Sequence, residues 1–132
     1  MAVALALGTA QFGSEYGVSN DDGQPSEWQV SAIVAAAVEA GIAMVDTAPG
    51  YGAAEAMLGR ALPIDPELMI VTKIMLARSG DIGDTKSSFI ESLQSLRRDR
   101  IYGLLAHRSS DLLADDRLWS MMQELKADKL VE

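Results

Sequence analysis

Apolar residues occur along this chain in short runs separated by polar, glycine-bearing stretches. Val3 to Leu7 is the first run, closed by Gly8 and Thr9, and it reads as a strand. The chain then turns polar from Gln11 to Pro25, a stretch holding Tyr16 and the turn formers Asn20 and Asp21. A connection that long inside a compact domain is usually functional or mobile. Helical spacing follows. Ser26 with Gln29 fits a capping box, Val30, Ile33, Val34 and Ala37 form one apolar stripe, and Gly41 stops the helix.

A second strand, Ile42 to Val45, ends abruptly at a carboxylate, Asp46. The loop Asp46 to Gly52, held by Pro49, Gly50 and Gly52, swings Tyr51 back over that rim. A short helix from Ala53 to Leu62 comes next, ended by Pro63 and Pro66. Leu68 to Lys73 is a third strand, apolar until its last residue. Ile74 to Gly83 is a loop, and Asp84 or Thr85 caps a helix with Phe89, Leu93 and Leu96 on one face. The fourth strand, Ile101 to His107, ends on the chain's one histidine. Asp115 or Asp116 opens the last helix, with Leu118, Met121, Met122 and Leu125 as its stripe. These Leu and Met stripes are core packing and call for no cofactor.

Strand and helix thus alternate four times. Strands apolar throughout, alternating with helices, predict a parallel sheet covered by helices. With 132 residues, 48% of them hydrophobic, the chain has enough for one core and too little for two comfortable domains. Gly8-Thr9-Ala10-Gln11-Phe12-Gly13 lacks the glycine spacing of a dinucleotide-binding turn, so a doubly wound nucleotide fold is unsupported.

Charge narrows the partners. The net charge is -8 and no basic run is present, which argues against nucleic acid and anionic membranes. Without cysteine there is no disulfide framework and no thiolate site, and no metal is called for. The apolar start lacks a basic leader and is too short for a secretory signal, and no run approaches the ~20 apolar residues of a membrane helix. A soluble cytoplasmic protein is the expectation.

Asp46, Lys73 and His107 stand at the ends of successive strands. In a parallel sheet or barrel these ends lie on one side, where ligands bind. Singly, each has a plainer reading: a turn-forming aspartate, a half-buried tyrosine, a solvated lysine, a packing histidine. Together they suggest a constellation. A lysine ammonium beside a phenol stabilises phenolate, and a carboxylate keeps that lysine charged and oriented. Such a tyrosine can deliver a proton to a carbonyl oxygen. A neutral imidazole can hydrogen-bond the same oxygen and fix its orientation.

The residues that carry this chemistry resemble the N-terminal half of an aldo-keto reductase. The resemblance rests on Leu7 to Gly13, on Asp46-Thr47-Ala48-Pro49-Gly50-Tyr51-Gly52, on Val71-Thr72-Lys73, and on Leu104-Leu105-Ala106-His107-Arg108. It covers essentially all 132 residues as a single N-terminal half, and Leu125 to Val131 looks like the family's stretch before its fifth strand. The resemblance implies a (β/α)8 barrel of TIM type with only the first four β/α units present. It implies NAD(P)H-dependent reduction of aldehydes or ketones, with Tyr51 as general acid, Lys73 as its activator, Asp46 as the partner of Lys73 and His107 orienting the carbonyl. NADPH, or sometimes NADH, would lie with its nicotinamide near Gly8, Thr9 and Asp46.

Length is the departure, since such barrels run to about 250 residues. The family's adenine and 2'-phosphate contacts come mostly from loops after the seventh and eighth strands, and Arg108-Ser109-Ser110 replaces a proline often found after the histidine. Two expectations follow. The chain is the front half of a carbonyl reductase that needs its other half, or it is a catalytically silent half-barrel module that assembles without turnover. Either way, a small carbonyl compound is the expected ligand. Self-association through exposed half-barrel surfaces is the expected assembly.

Overall fold

The computed structural model describes residues 5–62 and 68–132. Val3, Ala4, Pro63 and Pro66, which belong to elements expected above, lie outside the described residues. Four strands, β1 (Ala6–Gly8), β2 (Met44–Asp46), β3 (Met69–Ile74) and β4 (Gly103–Ala106), form one parallel sheet in the order β1-β2-β3-β4. The helices are α1 (Ala10–Gly13), α2 (Glu27–Glu39), α3 (Ala54–Ala61), α4 (Ile82–Leu96), α5 (Ser109–Ala114) and α6 (Asp116–Ala127). This is the parallel α/β sheet that the alternating runs predict, with the four β/α units of a half barrel that the resemblance implies.

Pleating divides the sheet into two faces. Val45, Ile70, Thr72 and Ile74 point to one face and are buried under the helices. There Val45, Ile70 and Ile74 join Phe12, Val30, Val34, Leu58, Phe89, Leu96, Leu118 and Leu125 in a single core cluster. The register Gly8↔Asp46↔Val71↔Gly103 and Lys73↔Leu105 places Gly8, Asp46, Val71, Lys73 and Leu105 on the other face. Among the described residues no helix covers that face, and Leu105 is 50% exposed there.

The capping signal of α2 holds for the reason expected of it. Ser26 and Gln29 form the reciprocal capping box, with Ser26 N–H donating to Gln29 Oε1 (2.8 Å) and Gln29 N–H to Ser26 Oγ (3.3 Å). Val30, Val34 and Ala37 are buried, whereas Ile33 faces outward at 39% exposure. The cap of α4 is Asp81, ahead of the expected Asp84 or Thr85. Its carboxylate accepts from the N–H groups of Gly83 (2.6 Å) and Asp84 (3.3 Å), which starts the helix one turn early. Asp115 caps α6 as expected.

Strand limits shift by one or two residues. Ile42 is not in β2, because its N–H closes α2 by donating to the Ala37 carbonyl (2.9 Å). β3 continues through Ile74. At the entry of β4, Ile101 pairs in parallel with Val131, so the last residues begin a further rung beside that edge. Two helices were not anticipated, α1 and α5, at four and six residues too short for a helical period to show. The polar stretch after α1 is tied down by Gln24 Nε2 donating to the Phe12 carbonyl (2.8 Å) and by Asn20 Nδ2 donating to the Gly23 carbonyl (3.0 Å). No described helix is long and apolar enough to cross a membrane.

Candidate active site

Asp46 is the last residue of β2 and Lys73 the fifth of β3, on the open face of adjacent strands. Lys73 Nζ donates to both carboxylate oxygens of Asp46, at 2.9 Å to Oδ1 and 2.8 Å to Oδ2, and to the Thr47 carbonyl at 2.9 Å. All three ammonium protons therefore have acceptors. The lysine side chain is only 15% exposed, and the Asp46 carboxylate is 37% exposed. A positive charge drawn this far from water needs such partners.

Tyr51 arrives from the turn ahead of α3. Its ring lies under the ammonium, with Lys73 Nζ 4.8 Å from the ring centroid, a cation–π distance. Gly52 takes φ +59°, which reverses the chain so that α3 starts at once. The end of α1 crosses this turn. A Cβ on Gly13 would fall on the Tyr51 carbonyl, and Ala53 N–H reaches the Gly13 carbonyl at 3.4 Å.

His107 follows β4 directly, and its backbone N–H donates to the Ile74 carbonyl (2.8 Å). Its ring stands edge-on to Tyr51, with centroids 6.1 Å apart and planes at 67°. A side chain at Gly50 would begin 3.3 Å from His107 Cε1, so the turn and the imidazole are in close apposition. Nδ1 is buried with no hydrogen-bond partner among the described residues. Nε2, the other ring nitrogen, is the one left to meet a ligand. The four residues expected at the strand ends are thus brought together.

Gly8, Thr9, Asp46 and Tyr51 share a cleft with Gln11, Tyr16 and Gly17. Thr9 is fully buried, and its hydroxyl and N–H both donate to the Asp46 carbonyl, at 3.0 and 3.1 Å, so it braces the rim. Above Gly8 nothing lies within 4 Å of where a Cβ would stand. The rim at Gly8 is therefore open, with room for a flat ring. No lysine or arginine lines the cleft, so these residues do not supply a cationic seat for phosphates.

Sequence reasoning missed one buried carboxyl. Glu55, in the first turn of α3, is 5% exposed and accepts a 2.6 Å hydrogen bond from the hydroxyl of fully buried Thr72. Burial pushes this carboxyl above the usual range, opposed by hydrogen bonds from Thr72 and Ser92 and by the charge of Lys73. In the sequence it stands among alanines at a helix start, where a solvated acid is ordinary, and no signal marked it.

The family model of the aldo/keto reductases matches residues 4–130, and the chain belongs to that family. Among solved structures, the chain is similar to a Pseudomonas aeruginosa protein assigned to the aldo-keto reductases. The two are 29% identical with a TM-score of 0.79, over 96% of this chain and 52% of that one. It is 25% identical to an aldo-keto reductase from Brucella melitensis, with a TM-score of 0.67, over 96% of this chain and 45% of the other. Gox0644 in its apo form is 27% identical, with a TM-score of 0.66, over 82% of this chain and 40% of the other. A mutant of Gox0644 has been solved in complex with NADPH. No curated protein matches the chain. The chain spans about half the length of the solved relatives it matches.

Proposed function

We propose that this chain forms the proton-delivering half of an NAD(P)H-dependent reductase of aldehydes and ketones. The observation that carries the reading is Lys73, whose ammonium is shared between the Asp46 carboxylate and the face of Tyr51. The cofactor, when bound, supplies a hydride to the carbonyl carbon. The Tyr51 hydroxyl gives its proton to the carbonyl oxygen as negative charge develops there, and the adjacent Lys73 ammonium stabilises the phenolate left behind. Asp46 holds the ammonium in place. His107, with its Nε2–H as donor, orients the same oxygen. Gly8, Thr9 and Asp46 form the rim against which a nicotinamide would lie, and the NADPH complex of Gox0644 supports that choice of cofactor.

A second reading has an observation of its own. The cleft has no cationic lining and the sheet face around it is open, which suits a half-barrel module that assembles without turnover, through a second copy of the chain. One assay separates the readings: NADPH consumption with an added aldehyde, by the chain alone and by the chain joined to the C-terminal half of the Pseudomonas relative. Consumption by the joined polypeptide alone is expected. A joined polypeptide that folds and binds NADPH without consuming it would favour the silent module.

A further inference from the structure

The site is built in two parts. Asp46, Thr47 and Lys73 belong to the sheet and its rim, while Tyr51 belongs to the turn that runs into α3. α3 itself packs chiefly on α1, α2 and α4. Its direct polar tie to β3 is Glu55, four residues after Tyr51, bound to the hydroxyl of Thr72 at 2.6 Å. Thr72 precedes Lys73, and the pleat sends the two side chains to opposite faces of the sheet. One hydrogen bond behind the sheet thus joins the tyrosine-bearing segment to the lysine-bearing strand.

We propose that Glu55 is a positioning residue that keeps Tyr51 in register with Lys73 by tying α3 to β3 through Thr72. The tie lies in a dry place: Glu55 is 5%, Thr72 0% and Ser92 3% exposed. A hydrogen bond there has little competition from water, and a partner lost there leaves a buried polar group unsatisfied. Ser92, buried on α4, also favours the charged form of this carboxyl. Sliding of α3 along β3 would therefore break a satisfied cluster, and Tyr51 would move with α3. The tie needs an acceptor oxygen facing the Thr72 hydroxyl, and glutamine keeps one in the same place, so Glu55→Gln is a fair replacement.

The inference rests on Tyr51 and Lys73 as the working pair, yet its test needs no turnover. With Nζ 4.8 Å from the Tyr51 centroid, the adjacent Lys73 ε-methylene protons should show an upfield ring-current shift in the NMR spectrum of the 132-residue chain. Tyr51→Leu identifies the shift by abolishing it. Glu55→Ala and Thr72→Val should each reduce it to less than half while circular dichroism and amide dispersion report a folded chain, and Glu55→Gln should retain it. Should Glu55→Ala fail to fold, Thr72→Val, which keeps the volume, decides alone. An undiminished shift in folded Thr72→Val, or its loss in Glu55→Gln, would overturn the proposal. An inactive joined barrel would remove the functional reading and leave this result standing.

Discussion

Gly13 and Tyr51 touch backbone to backbone: a single methyl group on Gly13 would occupy the place of the Tyr51 carbonyl oxygen. The polar turn that carries the proposed acid is therefore seated on a glycine from nearly forty residues earlier in the chain. Gly13→Ala forces the turn or the end of α1 to move, because the obstructing atom is backbone and cannot swing away. Overpacking of this kind costs about 1–3 kcal/mol. Urea unfolding of the 132-residue chain should show that loss, and unchanged stability would mean that the contact is looser than it looks.

Glu55 gives a pH dependence with a defined sign. Its folded-state carboxyl holds a proton more tightly than the ordinary glutamate value of 4.5, because burial outweighs the hydrogen bonds and the charge of Lys73. A group raised in the folded state contributes stability below its unfolded value and loses it as pH climbs through the raised one. Wild-type stability should therefore fall, through this group, as pH rises above about 4.5. Glu55→Gln removes the dependence. Its thermal midpoint relative to wild type should improve from mildly acidic pH towards neutrality, and a gap independent of pH would contradict the prediction.

The strand-end residues were legible because a parallel sheet sends its C-terminal ends to one side, and a polar residue ending an apolar run is conspicuous. Asp46, Lys73 and His107 each have that form. Gly13 was not legible. Its requirement comes from a chain crossing, and nothing nearby in the sequence distinguishes it from a loop glycine. Glu55 was hidden for a related reason, since its buried partner is the hydroxyl of Thr72 on another element. Asp81 was passed over in favour of Asp84 because glycine at 83 reads as loop, although it lies in the first turn of α4.

Cofactor affinity should expose what the cleft lacks. Gly8, Thr9 and Asp46 meet only the nicotinamide end, and no lysine or arginine lines the cleft. Fluorescence titration of the 132-residue chain with NADPH should give a Kd of about 0.1 mM or weaker, some 5.5 kcal/mol at most. Micromolar binding would contradict this and show that a second copy brings the missing cations.

The open face predicts assembly. Leu105 is half exposed and Met44, Met69 and Val71 are only partly covered on the face opposite the helices. Full burial of one such side chain contributes about 1.5–3 kcal/mol. Covering four that are already partly buried gains on the order of 3–6 kcal/mol, a large share of a domain's stability. The β1 edge and the Gly103–Ala106 edge of β4 also have no strand beside them among the described residues. Two copies, each pairing β4 with the other's β1, would address both faults. Light scattering behind a sizing column should give about twice the 14.1 kDa chain mass. A compact, monodisperse monomer would refute the pairing.

The central claim is that the Tyr51 hydroxyl delivers the proton, and removing that one oxygen tests it most directly. In the chain joined to the C-terminal half of the Pseudomonas relative, NADPH-dependent reduction of an aldehyde would be compared between wild type and Tyr51→Phe. Phenylalanine keeps the ring beneath Lys73 and beside His107, so NADPH affinity should stay within about twofold, under 0.5 kcal/mol. The rate should fall by ~100-fold or more, the scale of a positioned general acid. Turnover in Tyr51→Phe within a few-fold of wild type would contradict the account.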